Sequence, residues 1–206
     1  MRKRTTYLAS AAVAAMLCLP GAASALSFSG DWTITTIRST DPGLVVQTSA
    51  SSGSFSTPDL AVGQSHTFSL FDIWTDETDA AWFEDTVPYP ISVSFNFTSP
   101  AAAAAIGGTT YGVNILVAQW GELDWEPSTT VSFGPNDSGN LTLSLSDVIF
   151  NKHIFGLKEG ERYGANVTAT LNYTTAPVPL PATLPLLLGG IALVGAARHR
   201  VRTRAA

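Results

Sequence analysis

The sequence contains a single cysteine, Cys18, which lies within the first 25 residues. Those residues resemble a cleaved export signal, so the mature chain is expected to contain no cysteine. Such a chain can form no disulfide and no thiolate metal site, and it has no cysteine nucleophile. Core burial and strand pairing must therefore hold an exported fold together without covalent cross-links.

Basic residues are scarce between the two ends of the chain. Of the 11 Lys and Arg residues, three lie at positions 2–4 and four at positions 198–204, whereas all 16 acidic residues lie between. The interior thus has 4 basic and 16 acidic side chains, and hence a net charge of −12. This charge repels phosphates, so it argues against nucleic-acid binding and against electrostatic docking on anionic headgroups.

Motifs of the common enzyme classes are also absent. The sequence has no Gly-x-Ser-x-Gly, no His-Glu-x-x-His and no phosphate-binding loop. Its interior has only two histidines, His66 and His153. Pairs of carboxylates can hydrolyse glycosides, but a chain with two acidic clusters contains such pairs by chance. The sequence predicts a protein without enzymatic activity, and a secreted hydrolase is the least favoured alternative.

Residues 1–25 have the three-part layout of a secretory signal peptide. Residues 2–4 are basic, residues 7–19 are mostly apolar, and Ala23 and Ala25 supply the small residues at the −3 and −1 positions. The apolar stretch is shorter than the ~20 residues of a membrane span. This pattern predicts passage through Sec-type export machinery and cleavage before Leu26.

Residues 176–206 join a proline-rich segment, a short apolar run and a basic tail. No charged residue occurs from 176 to 197, and prolines at its start oppose a helix there, so a transmembrane helix is expected at about 184–197. Its proline-free part starts at Leu186 and covers roughly 18 Å of a ~30 Å hydrocarbon core, which makes it a marginal anchor. The positive-inside rule keeps the tail cytoplasmic. The basic residues of this tail are Arg198, Arg200, Arg202 and Arg204.

The proline-rich segment carries a specific motif. Its residues are Val178, Pro179, Leu180, Pro181 and Ala182. With the apolar run and the arginine cluster behind it, this segment resembles the VPLPA variant of the PEP-CTERM sorting domain, and the resemblance is confined to roughly residues 176–206. It implies processing at or near the motif by an exosortase, a membrane-embedded transpeptidase-like enzyme of Gram-negative-type bacteria. His199 interrupts the arginines, a minor departure, and an anchor that is never cut is the alternative.

Residues 26–175 predict an all-β domain, a single antiparallel β-sandwich. Apolar residues alternate with Ser, Thr and Asn at 91–98, 141–146 and 167–173, a pattern that puts apolar side chains on one sheet face. No long helical crossover is visible, which argues against a parallel sheet. Further strands are expected at Trp32–Arg38, Leu44–Thr48, Gly53–Ser56, His66–Trp74, Gly112–Trp120, Thr129–Phe133 and Val148–Phe155. A single helical turn is expected at Ala101–Ala105, and Thr78–Asp85 is the other candidate helix.

Two clusters mix tryptophan with acidic residues and are candidate binding loops. The first contains Asp72, Trp74, Asp76, Glu77, Asp79, Trp82, Glu84 and Asp85; the second contains Trp120, Glu122, Asp124, Trp125 and Glu126. Carboxylates on loops can bind Ca²⁺, although the spacing is not that of an EF-hand. Tryptophan faces can stack on sugar rings, but tryptophan also packs in cores, and a core position is expected for Trp32. Solvated loops are the alternative, and no cofactor other than Ca²⁺ is indicated.

The sequence therefore predicts an exported bacterial protein with a structural or adhesive role in an exopolysaccharide or biofilm matrix. A carbohydrate-binding module that uses the tryptophan and acidic loops is the alternative. The expected partners are the export machinery, an exosortase and exopolysaccharide, with no nucleic acid. The expected location is the inner membrane transiently, with the C-terminus in the cytoplasm, and then the cell surface or extracellular matrix.

Overall fold

The computed structural model describes residues 25–177, which form an all-β body with two antiparallel sheets. The predicted signal peptide up to Ser24, the sorting motif, the predicted transmembrane helix and the basic tail lie outside the described residues. The strands are β1 (Ser29–Thr36), β2 (Gln47–Thr48), β3 (Ser52–Ser56), β4 (Ser65–Trp74), β5 (Tyr89–Ser99), β6 (Ala101–Asn114), β7 (Gln119–Trp125), β8 (Thr129–Phe133), β9 (Gly139–Leu145), β10 (Val148–His153) and β11 (Ala165–Thr175). Short 3₁₀ turns occur at Pro135–Asp137 and Glu161–Tyr163.

The strands divide between two sheets that enclose one core. The first sheet has the order β10-β7-β6-β5-β1-β3, and the second has the order β2-β4-β11-β9-β8. Aromatic contacts join the inner faces, with the rings of Trp32 and Phe71 5.6 Å apart and those of Phe55 and Phe68 stacked at 5.0 Å. The prediction of an all-β, antiparallel body is confirmed, and so is the core position of Trp32, which is buried.

The two-residue alternation explains why the long strands form where they do. In β5, Ile91, Val93, Phe95 and Phe97 are buried, while the residues between them face outwards. Strands β9 and β11 follow the same pattern. Burial of the apolar side chains of each strand stabilises the fold by about 25 cal/mol per Å² of apolar surface. The hydroxyl residues on the outer face hydrogen-bond with water and carry no charge.

The expected helical turn at Ala101–Ala105 is wrong, because these residues begin β6. They pair with β5 from Ala101 opposite Thr98 onwards, and Ala102 and Ala104 pack against the core. Alanine has the highest helix propensity, but strand pairing and burial of alternate residues outweigh that preference here. The expected helix at Thr78–Asp85 is also wrong, because a loop with one bond from the Asp85 N–H to the Ala81 carbonyl occupies it.

The expected strands Trp32–Arg38 and Val148–Phe155 are observed as Ser29–Thr36 and Val148–His153, and two further expected strands differ more. The segment Gly112–Trp120 is not one strand, since β6 ends at Asn114, the chain reverses at 115–118 and β7 begins at Gln119. No glycine or proline marks this reversal, and its apolar residues extend the strand pattern across it. The segment Leu44–Thr48 contributes only β2, because the Val45 N–H donates to the Glu77 carboxylate, 2.9 Å away, and not to a neighbouring strand.

The described chain begins and finishes at the same end of the body. Leu26 pairs with Leu60 there, and Pro177 follows β11 and lies against Gly139. We call this the terminal end. The opposite end, which we call the loop end, contains the connections 37–46, 75–88, 115–118 and 154–164. At ~3.3 Å per residue, the ten steps between the eleven residues of β11 separate the two ends by about 33 Å.

Candidate functional site

Asn151 links two of the four connections of the loop end. It is fully buried at an irregularity of β10. Its Oδ1 accepts from the Thr75 N–H at 3.0 Å, and its Nδ2 contacts the carbonyls of Thr75 and Gly160 at 3.2 Å each, and also that of Lys158. One side chain thus fixes the segment after β4 to the segment after β10, and positions the loops around it.

A depression lined with acidic residues opens beside this anchor. It has a volume of about 370 Å³ and is lined by Asp41, Asp76, Glu77, Thr78, Asp79, Glu84 and Asp85. Besides Glu77, which accepts from the Val45 N–H, three of the carboxylates have fixed partners. Asp76 accepts from the Gln47 side chain at 2.9 Å, Asp79 accepts from the Gln119 side chain at 2.5 Å, and Asp85 accepts from a backbone N–H. The predicted first cluster is therefore partly assembled, and Asp41 joins it from the β1–β2 connection.

Other members of the first cluster lie elsewhere. Asp72 is in β4, where its carboxylate accepts from the Asn166 side chain at 2.8 Å. Trp74 is half-buried at the end of β4, while Trp82 is exposed on the 75–88 connection. Among residues 25–177, no three Asp, Glu or His side chains are arranged to hold a metal ion. Calcium binding stays a prediction.

Burial changes the proton affinity of two carboxyl groups in the depression. It raises the pKa of Glu77 to about 7, even though the Val45 N–H bonded to this side chain favours the charged form. Burial also raises the pKa of Asp85, which is hydrogen-bonded to Glu77. A carboxyl with a raised pKa binds more protons in the folded than in the unfolded chain, so folding becomes less favourable as the pH rises past its unfolded value.

This pKa shift predicts a pH-dependent stability. The free energy of unfolding should fall as the pH rises from about 4.5 to about 7 and then level off. The full shift corresponds to roughly 3 kcal/mol, and partial exposure of Glu77 reduces the effect to about 1–2 kcal/mol. Glu77→Gln keeps an oxygen for the Val45 N–H and should flatten the profile, so that the variant is the more stable protein at pH 8.

The measurement is thermal unfolding of wild type and variant from pH 4 to pH 8. Glu84→Gln, on an exposed side chain of the same depression, is the matched control and should keep the wild-type profile. If the Glu77→Gln profile parallels that of wild type over the whole range, the proposed protonation of Glu77 is wrong.

The second predicted cluster lies on a strand and not on a loop. Strand β7 alternates strictly, so Trp120, Glu122 and Asp124 face outwards and Trp125 faces the core. The Trp125 ring is buried and cannot stack on a sugar, and its indole N–H has no hydrogen-bond partner among the residues described. The prediction of a second loop is therefore wrong, because the period of two that defines a strand continues through these residues.

The outer face of the first sheet instead forms a compact polar cluster. The Tyr111 hydroxyl donates to Asp124 at 2.8 Å, and the Trp120 indole N–H donates to Glu122 at 3.1 Å. Burial raises the pKa of Tyr111, and its hydrogen bond to Asp124 adds to this effect. Tyr111 was missed by the sequence reasoning because its place opposite Glu122 depends on the unpredicted β6–β7 hairpin.

Each of the four basic side chains of the described chain lies over an aromatic ring. Arg38 covers Tyr89 at 3.9 Å, Lys152 covers Trp120 at 4.9 Å, and Lys158 and Arg162 cover Tyr163 at 4.2 and 4.5 Å. Such contacts contribute about 0.5–1 kcal/mol each at exposed sites. These cations thus pack on the protein's own rings, and they lie at or near the loop end.

Comparison with protein-family models, with curated proteins and with solved structures gives no match to this chain. The resemblance of residues 176–206 to a sorting domain therefore stays a sequence-based prediction.

Proposed function

We propose that this protein is an exported bacterial surface or extracellular-matrix protein. In this proposal, cleavage of the signal peptide and processing of the C-terminal domain by an exosortase release a β-sandwich body. The role of this body is structural or adhesive. The observation that carries the proposal is the segment Val178–Ala182, followed by an apolar run and an arginine cluster at the C-terminus. The proposal assigns no catalytic activity and no cofactor.

The geometry of the body is consistent with this role. Residues 26 and 177 both leave at the terminal end, so a chain held by its C-terminal segment would present the loop end away from the membrane, about 33 Å further out. Within residues 25–177 there is no helix that is long and apolar enough to cross a membrane.

Replacing Pro179 and Pro181 by alanine tests the processing step. The alternating prolines favour an extended backbone without internal hydrogen bonds, a form that a processing enzyme can bind as a strand. In the native bacterium the double variant should accumulate at full length in the membrane fraction, whereas wild type should leave it. Pro185→Ala, outside the motif, is the control and should be processed normally. Normal processing of the double variant would contradict the role given to the motif.

Glycan binding is a second candidate function, and the outer-face cluster favours it. Tyr111 and Trp120 have half-buried rings beside Asp124 and Glu122, a combination of rings and hydrogen-bond acceptors that suits sugars, and Lys152 would have to move off the Trp120 ring for a sugar to stack there. Trp120→Ala should then abolish binding of isolated exopolysaccharide, and binding that survives this substitution would remove the candidate.

A further inference from the structure

Three connections of the loop end each expose a large apolar side chain on strained backbone. Phe83, Leu116 and Phe155 are 91%, 84% and 78% exposed, and their φ angles are +69°, +61° and +56°. We call these three residues the apolar tips. Positive φ is uncommon outside glycine, asparagine and aspartate, and is unfavourable for bulky residues by roughly 1–2 kcal/mol each. Three such residues pointing into solvent have no packing gain to offset this cost within the described body.

The backbone around Leu116 illustrates the strain. The Val117 N–H donates to the carbonyl of Ile115, only two residues earlier, at 2.6 Å. A three-residue turn of this kind with positive φ at its centre is rare and strained. Strained residues persist where the surrounding structure fixes them, and they cluster at functional sites.

Hydrogen bonds bring the three connections into one surface. The Phe155 N–H donates to the Val117 carbonyl at 3.3 Å, which joins the 154–164 connection to the 115–118 reversal. The Asn114 side chain donates to the Ala80 carbonyl at 2.8 Å, which joins that reversal to the 75–88 connection. Ile115, Val117 and Ile154 are exposed beside the tips. The exposed apolar side chains of the loop end are thus carried by three connections that are hydrogen-bonded to one another, and exposed apolar patches mark interaction sites.

We propose that the apolar tips form a docking surface for a polypeptide segment that carries apolar side chains together with lysine or arginine. The negative charge around the tips is the reason for expecting lysine or arginine in the bound segment. Phe83 is followed directly by Glu84 and Asp85, which line the acidic depression, and the four connections of the loop end carry eight acidic and three basic side chains. Its basic side chains already lie over rings of the body. Complementary charge would steer such a segment and fix its register.

The same observations disfavour the other occupants. None of the three tips has a side-chain polar atom that could hydrogen-bond a sugar, and Leu116 also offers no flat ring. An anionic bilayer surface would be repelled by the carboxylates beside Phe83. A symmetric contact with a second copy of this chain would bring the acidic depressions of the two copies close together, and their like charges would repel. The proposal also does not depend on processing of the termini, so it can fail without affecting the proposed function.

The test uses residues 26–177, since both sheets and the core between them are built from this part of the chain. The probes are a labelled amphipathic peptide of leucine and lysine, about 14 residues long, and its counterpart with glutamate in place of lysine. Binding is measured by fluorescence anisotropy. The triple variant Phe83→Asn, Leu116→Asn, Phe155→Asn removes the tips but keeps residues that tolerate positive φ. Val62→Asn, an exposed apolar residue at the terminal end, is the matched control.

We expect wild type and Val62→Asn to bind the leucine–lysine peptide equally, and the triple variant to bind it about tenfold more weakly or worse. The glutamate peptide should bind to none of them. Equal binding by wild type and triple variant would overturn the proposal, because the interaction would then be charge alone. So would absence of binding to wild type. Phosphatidylcholine vesicles, exopolysaccharide and sedimentation of the protein alone form further arms. Binding or self-association that is lost only in the triple variant would assign the surface to another occupant.

Discussion

Replacing Asn151 by alanine should lower the free energy of unfolding by about 2–4 kcal/mol. The substitution removes the side-chain acceptor of the Thr75 N–H and a donor to three backbone carbonyls, all at a residue without solvent exposure. A buried polar group that loses its partner costs about 1–3 kcal/mol. Asn151 also has φ of +53°, a conformation that asparagine tolerates better than alanine does.

Urea unfolding of residues 26–177, followed by tryptophan fluorescence, measures this change. Asn172→Ala is the matched control, because Asn172 is exposed in β11 and its substitution should alter stability by less than about 0.5 kcal/mol. Hydrogen exchange of the Thr75 amide gives a local readout, and exchange should accelerate in Asn151→Ala. If both variants unfold at the same urea concentration, Asn151 does not hold the loop end as described.

Replacing Phe28 by alanine should destabilise the body by about 3–5 kcal/mol, the range for truncating a buried phenylalanine. Phe28 has no solvent exposure, and its ring meets those of Phe133 and Tyr173 edge to face at 5.4 Å each. This trio joins the segment before β1 to strands β8 and β11 of the second sheet. The cavity left by truncation would therefore weaken the packing between the two sheets at the terminal end.

Phe83→Ala is the control for the phenylalanine truncation, since Phe83 is exposed and makes no core contact. Its stability should stay within about 0.5 kcal/mol of wild type or rise slightly. The same unfolding measurement compares the two variants. A loss at Phe28→Ala no larger than that at Phe83→Ala would show that the ring trio contributes little to stability.

Alternation was sufficient to predict the long strands. Residues 91–97, 141–143 and 167–173 each bury every second side chain, because a strand that lies on one core must repeat its apolar residues with period two. The class of fold follows from these segments and from the absence of helical periodicity. The pairing order of the strands does not follow from the sequence pattern. Strand β1 lies between β3 and β5, and β11 lies between β4 and β9, through contacts between residues distant in sequence.

Local propensity failed where long-range contacts decide the conformation. The alanines at 101–105 prefer a helix in isolation, but β5 offers them partners along their whole length. The reversal at 115–118 carries Ile, Leu and Val where turns normally carry Gly or Asn, so no turn signal precedes it. Leu116, one of the apolar tips, lies in this unpredicted reversal. A strained segment of this kind is where sequence rules are expected to fail.

The candidate sites could be predicted only in part for the same reason. The acids near Glu77 are close in sequence, so their cluster was visible. Asp41 joins them from a distant connection, and Tyr111 joins Asp124 through a hairpin register that composition does not encode. The anchoring role of Asn151 depends on three segments that meet only in the folded chain.

The intact mass of the protein isolated from the native bacterium tests the central proposal most directly. Export and processing at both ends predict the mass of a chain that begins at Leu26 and ends within or near Val178–Ala182, with or without an added group. A mass that retains Arg198–Arg204 would contradict processing at the sorting motif. A mass that retains both ends, found in the cytosol, would contradict export altogether.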